Sequence, residues 1–262
     1  VVRIVSEEAN GRPILAGAAE TNIELVLEMC NYCADLGRRA VSITEPYYYK
    51  HTQESLEAYF RELAAKSPID IVVYNIPVFA NEISLPVLER LAMDCPSIVG
   101  TKDTSKDMGR FQQTLHNIKR QRPDFSVLIG WEELLCTGPF MGADGGTLSS
   151  AGVVPEVVMS LYHAARSGNW EMAKEIHFEL LDLFSLMVGA PNFPEGFRAG
   201  YELRGFKAGS ARFPLSPSEQ GLIAEMRSKL ACTLAGCGFE EAAGECRVAG
   251  RSAECGGHRA RL

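Results

Sequence analysis

Apolar, β-branched-rich runs begin near Pro13, Ala40, Ile69, Ser97, Phe125 and Asp144, and stretches of helical periodicity lie between the first five. They recur about every 28 residues until the last step, an interval suited to strand–helix units. Ile71-Val72-Val73-Tyr74 and Val127-Leu128-Ile129 are apolar at successive positions, which predicts strands buried on both faces. Met108, Phe111, Leu115 and Ile118 form an i, i+3, i+7, i+10 stripe with polar residues between, the pattern of a helix laid on a sheet. The repeat predicts parallel strands with right-handed crossovers, in either a (β/α) barrel or an open doubly wound α/β sheet.

After Ser149 the pattern is helical alone: Pro155 to Ser167, Trp170 to Met187, a segment around Arg198 to Leu203, and Pro217 to Ala235. Pro155 and Pro217 sit where a first-turn proline is tolerated, and Glu156 and Glu219 suit the positive end of the helix dipole. The organisation expected is a partial barrel over residues 1–154, a C-terminal helical module over 155–243 and a disordered tail over 244–262. Six strands do not close an eight-stranded barrel, and the start reads as the back half of a helix ending at Asn10-Gly11. The reading is a TIM (β/α)8-type barrel lacking its first two strands, about 60 residues.

Composition narrows the partners. The 262 residues are 46% hydrophobic and 23% charged, enough for a full core, and the net charge of −7 without a basic stripe disfavours nucleic acid. No apolar run has the length of a membrane span and Val1-Val2-Arg3-Ile4-Val5-Ser6-Glu7-Glu8 lacks signal-peptide design, so the expectation is a cytoplasmic protein with no membrane partner. Of eight cysteines, Cys30, Cys33, Cys95 and Cys136 read as core residues. Cys232, Cys237, Cys246 and Cys255 crowd the C-terminal end with a spacing that fits no zinc ribbon.

Active-site residues of barrels sit at strand ends, and the polar residues there are Glu45-Pro46-Tyr47-Tyr48-Tyr49-Lys50, Tyr74-Asn75-Ile76-Pro77, Lys102-Asp103-Thr104, Gly130-Trp131-Glu132-Glu133 and Gly145-Gly146-Thr147. Lys102 ends the apolar run Ser97-Ile98-Val99-Gly100-Thr101. Desolvation there would disfavour its ammonium form and leave the neutral amine that attacks a carbonyl to make a Schiff base. Alone, such a lysine reads equally as one that leaves the strand and reaches water. Tyr74 closes an apolar strand with a hydroxyl able to shuttle protons. Gly145 and Gly146 would let backbone approach a bound 2-oxo acid.

Pro46-Tyr47-Tyr48, Tyr74-Asn75-Ile76-Pro77, Gly100-Thr101-Lys102-Asp103 and Gly142-Ala143-Asp144-Gly145-Gly146 together resemble the ordered signatures of the dihydrodipicolinate synthase and N-acetylneuraminate lyase family, in register from about Val1 to about Leu230. The resemblance implies a class I aldolase or lyase on a (β/α)8 barrel, usually a homotetramer, acting on a small 2-oxo acid such as pyruvate. It makes Lys102 the imine-forming nucleophile and Tyr74 the general acid/base. Tyr48 becomes a proton-relay residue and Tyr47 an aromatic at a subunit interface. The covalent imine does a Lewis acid's work, so no metal or other cofactor is expected.

Departures from the family pattern bear on substrate. Phe79, in Pro77-Val78-Phe79-Ala80-Asn81-Glu82, stands where the lysine-pathway synthases carry a carboxylate-clamping arginine. Gly130-Trp131-Glu132-Glu133 resembles the stretch with which the sialic acid lyases hold sugar hydroxyls, and Thr104 matches their hydroxyl-contacting threonine. The two acids read equally as a helix start suited to its dipole. The function expected is cleavage or dehydration of a 2-keto-3-deoxy sugar acid, with 4-hydroxy-tetrahydrodipicolinate synthase as the alternative and a decayed 2-oxo-acid-binding member as the non-enzyme alternative. The family's Gly-Thr-Thr-Gly-Glu carboxylate loop has no counterpart here, so the chain as written is expected to be a catalytically crippled fragment. Asn192 to Arg198 is given a structural role.

Overall fold

The computed structural model describes residues 1–246. Six strands, β1 (Ala16–Gly17), β2 (Ala40–Thr44), β3 (Asp70–Asn75), β4 (Ile98–Asp103), β5 (Ser126–Ile129) and β6 (Gly145–Gly146), form one sheet in sequence order. Every neighbouring pair is parallel. A doubly wound sheet would reverse its strand order at a switch point; unbroken succession is the winding of a barrel, here a half-barrel. Each predicted run became a strand, although β1 and β6 reach only two residues.

Residues Val1–Leu134 and Met141–Thr147 make one compact unit that holds the whole sheet. Its helices are α1 (Val2–Glu8), α2 (Ile23–Asp35), α3 (Gln53–Lys66), α4 (Leu85–Asp94) and α5 (Met108–Thr114), the last continued by a π turn over Leu115–Lys119. Asn22, Thr52 and Asp107 cap α2, α3 and α5 with side-chain oxygens that accept from backbone N–H groups of the first turn. Val41, Ile43, Ile71, Val73, Val127 and Ile129 from the strands are fully buried, as are Leu63, Leu88, Phe111 and Ile118 from the helices. The predicted stripe from Met108 to Ile118 thus buries one face continuously through the change of helix type. Cys30, Cys33 and Cys95 are core residues, whereas Cys136 is half-buried.

The second unit takes Leu135–Phe140 and the residues from Leu148 onward. The expected boundary after residue 154 therefore moves back to 148: the 3-10 turn Ser150–Gly152 packs with the helices that follow, and Val153 and Val154 are buried. A short helix α6 (Gly138–Met141) precedes α7 (Pro155–Ser167), α8 (Trp170–Val188), α9 (Glu195–Leu203) and α10 (Pro217–Gly236). Glu195 does open α9, and Ser216 with Glu219 forms a capping box on α10. Arg204 ties this unit together by donating to the Val153 carbonyl and pairing with Glu156 and Glu241.

The tail assignment changes at its start. Gly244 and Glu245 finish a 3-10 helix, Glu240–Glu245, and Cys246 is disulfide-bonded to Cys232. The rest of that stretch, with Cys255, lies outside the described residues. No described helix is long and apolar enough to cross a membrane.

Candidate active site

The parallel register sets Thr44 of β2 opposite Tyr74 of β3, Tyr74 opposite Lys102 of β4, Lys102 opposite Leu128 of β5, and Leu128 opposite Gly145 of β6. One row across five strands therefore carries three of the residues singled out from the sequence. Within it the Lys102 Nζ lies 3.8 Å from the centroid of the Tyr74 ring, a cation–π distance. Both side chains are half-buried, so Lys102 is less enclosed than its strand suggested.

Glycines 130 and 145 sit in different surroundings. A Cβ on Gly130 would fall 1.9 Å from Thr104 Oγ1 and 2.8 Å from the Asp103 carbonyl, so packing within the chain excludes any side chain. A Cβ on Gly145 would meet only Leu128, at an ordinary 3.8 Å, so nothing internal demands glycine there. Asp144 beside it accepts from the Val127 N–H and pairs with Lys119, which fastens β6 to β5 and to the end of the α5 helix.

Other predicted residues are less close-knit. Thr104 is only 4% exposed, with its hydroxyl turned against Gly130. The Thr147 hydroxyl is likewise buried and makes no hydrogen bond. Glu132 is buried while Glu133 is exposed and accepts from the Trp131 indole N–H at 2.8 Å, so the two acids do not present side by side. Lys106 lies over the same indole, 3.8 Å from its centroid. Tyr48 has φ 80°, in the left-handed region, and is 88% exposed; its ring contact is with Tyr49. Within one chain it therefore projects outward and does not join Tyr74 and Lys102. Tyr47 is less exposed than Tyr48.

Two sets of supporting residues had no role in the sequence reading, although Glu45, Asn75 and Asp103 stood among its strand-end polar residues. Asn81, in the loop after β3, donates to the Pro46 and Tyr49 carbonyls and accepts from the His51 N–H, which fixes the tyrosine loop after β2. Asp103 receives Arg110 Nε at 2.8 Å, Asn75 Nδ2 at 3.1 Å and the Ser105 N–H at 2.8 Å, all but the last in fully buried surroundings. Asn75 Oδ1 accepts from the Ile83 N–H. Glu45 is buried completely, and burial, the first cause, pushes its carboxyl pKa well above the usual range although Arg110 opposes this. The signal available was the charge of Glu45, Asp103 and Arg110 inside or beside apolar runs.

A sequence model described as the Dihydrodipicolinate synthetase family matches residues 1–233. A 4-hydroxy-tetrahydrodipicolinate synthase of Methanopyrus kandleri is 33% identical over 234 residues, 88% of this chain and 76% of that one. The solved dihydrodipicolinate synthase of Thermotoga maritima superposes with a TM-score of 0.81 at 27% identity, covering 91% of this chain and 80% of that one. A 2-keto 3-deoxygluconate aldolase from Picrophilus torridus gives 0.73 at 27% identity, covering 82% and 78%. Across its relatives the chain spans from 66% to 80% of their lengths.

Proposed function

The chain belongs to the dihydrodipicolinate synthetase family of lyases, and from that premise we propose that it is a Schiff-base carbon–carbon lyase using pyruvate or a related 2-oxo acid, cleaving or dehydrating a 2-keto-3-deoxy sugar acid. The observation that carries the reading is the Tyr74–Lys102 pair, neighbours in register with Nζ 3.8 Å from the ring centroid.

In the cleavage direction the Lys102 amine attacks the C2 ketone and water leaves, giving an imine that is protonated to the iminium. Tyr74 accepts the proton of the C4 hydroxyl as the C3–C4 bond breaks. The bonding pair flows into the iminium and gives an enamine, and the C4 fragment departs as an aldehyde. Protonation of the enamine at C3 and hydrolysis release pyruvate and the free lysine. The electron sink is the iminium itself, so the reaction as proposed calls on no metal or diffusible cofactor.

Phe79 favours this substrate class. It is 60% exposed in the turn after β3, and a phenyl ring cannot form the bidentate clamp that a second carboxylate would need. Space beside Gly145 suits the 2-oxo acid. Likeness to the Picrophilus torridus aldolase supports the same reading. The Methanopyrus kandleri relative favours the second one, 4-hydroxy-tetrahydrodipicolinate synthase. Exposed Tyr48, with Tyr47 beside it, suits an aromatic contact between copies, and a homotetramer is proposed with it.

The test is borohydride trapping with pyruvate, followed by peptide mass spectrometry and by kcat/KM for hydroxylated aldehydes against aspartate semialdehyde. We expect one reduced adduct per chain, on Lys102, that disappears in Lys102→Ala, and a ratio favouring the hydroxylated aldehydes. An adduct on another residue rejects the nucleophile. Faster turnover of aspartate semialdehyde selects the second reading.

A further inference from the structure

Glu45 follows Thr44 at the end of β2, directly before the tyrosine loop, and is 0% exposed with neither carboxyl oxygen hydrogen-bonded. A carboxyl group in that state costs a folded chain stability that leucine would not, and ionising it would cost more still, so the core alone gives no reason for it. Its electrostatic neighbours are Arg110 of α5, Asp103 of β4 and Glu82 of the loop after β3, and it acts in turn on Tyr59 of α3. Arg110 is the one cation among them. It gives Nε to Asp103, and its Nη2 is buried without a hydrogen-bond partner. Asp103 is next to Lys102, and Asn75, which also holds Asp103, is next to Tyr74. A donor and two acceptors are thus left unsatisfied around the residues that fix the two proposed catalytic strand ends.

We propose that Glu45 is a positioning residue of the Schiff-base site, which with Arg110, Asp103 and Asn75 forms a buried polar layer that holds the ends of β2, β3 and β4 one residue beyond the Tyr74–Lys102 row. While Glu45 keeps its proton, Arg110 stays committed to Asp103 and the row is held. When Glu45 loses it, the new carboxylate competes for Arg110, Asp103 loses part of its anchor, and Tyr74 and Lys102 shift against each other. Burial raises the acid's pKa, so the holding state persists to higher pH than an ordinary carboxyl would allow and the loosened state belongs above that raised pKa. The site geometry is therefore coupled to a proton that takes no part in the chemistry.

The inference rests on the Schiff-base reading, and the experiment separates the two. Glu45→Ala in the intact protein should lower kcat by about tenfold to a hundredfold, the scale of a misplaced reacting group, with KM for the 2-oxo acid changed far less. Glu45→Gln, which keeps the shape without the ionisation, should restore kcat and move the alkaline limb of the kcat–pH profile to higher pH. Arg110→Lys, which keeps the charge but not the fork, should lower kcat like Glu45→Ala and serves if that variant does not fold.

Stability gives a reading free of activity. A folded-state acid pKa above the unfolded value means the folded chain holds the extra proton, so stability falls as pH rises from about 4.5 towards the folded pKa. The thermal midpoint of Glu45→Gln should exceed that of the parent by a margin that widens across this range. A constant margin, superimposable kcat–pH profiles, or equal losses in the Ala and Gln variants would overturn the proposal. Absence of a Lys102 adduct in the parent protein would instead reject the Schiff-base reading, and the stability arm would still report on Glu45.

Discussion

Tyr74 and Lys102 face one another because residues at equal height on adjacent parallel strands with side chains on the same face are neighbours, whatever their separation along the chain. Tyr74→Phe keeps the ring that Lys102 contacts and removes only the hydroxyl. We expect kcat to fall by about a hundredfold or more while borohydride still traps the Lys102 adduct, because proton transfer and imine formation then separate. Loss of both together would assign the tyrosine to holding the lysine. Gly130 offers a purely steric test at the same scale. Gly130→Ala should destabilise the chain by about 1–3 kcal/mol, the cost of forcing a methyl into packed surroundings, and Thr104→Ala should recover part of it in the double variant. Denaturant unfolding measures both. Lys102 and Tyr74 were legible in the sequence because each ends an apolar run, but the outward turn of Tyr48 was not, since it follows from the backbone conformation of one residue.

Between elements, α3 and α4 are joined by an ionic cluster in which Glu57 receives Arg61 and Arg90, and Asp94 receives Arg61 as well. Hydrogen bonds from Arg90, then Arg61, hold the Glu57 carboxyl at about 2, below its ordinary 4.5. A depressed carboxyl pKa stabilises the fold above the unfolded value and stops doing so as pH falls through the folded one. Glu57→Gln is therefore expected to cost about 1 kcal/mol near neutrality, in line with partly exposed ion networks, and the difference from the parent should shrink between about pH 4.5 and pH 2. Thermal unfolding across that range checks the sign; a difference that grows on acidification would show that the cluster is not the cause. These helices were legible from periodicity, and their partners were not, because Glu57 and Arg90 are 33 residues apart.

For the whole molecule, the strand order decides more than the strand content. Apolar runs separated by helical stripes allowed both a barrel and a doubly wound sheet, and the unbroken succession from β1 to β6 selects the first. Assembly belongs to the same scale. If the proposed tetramer forms through the tyrosine loop, sedimentation velocity should resolve a species of four chains, and Tyr48→Ala should shift it towards smaller ones, because exposed aromatics at interface centres carry much of the binding energy. A tetramer unaffected by the substitution would move the interface elsewhere.

The sequence by itself determined the strand and helix series, the proline starts of α7 and α10, the family, and the candidates Lys102 and Tyr74. All of these are written in local periodicity, in punctuation by proline and glycine, or in short motifs whose residues are contiguous. Tertiary structure alone decided that Gly130 is fixed by Thr104, that Asn81 holds the tyrosine loop, that Glu132 and Glu133 part company, and that Glu45 lies uncompensated near Arg110 and Asp103. Three of those facts join residues from different βα units, 26 positions apart for Gly130 with Thr104 and 65 for Glu45 with Arg110, and the fourth sets the two neighbours Glu132 and Glu133 in different surroundings. Such distances carry no local signal: an isolated acid at a strand end looks the same whether the fold turns it to water or buries it, and only packing sets the dielectric around it.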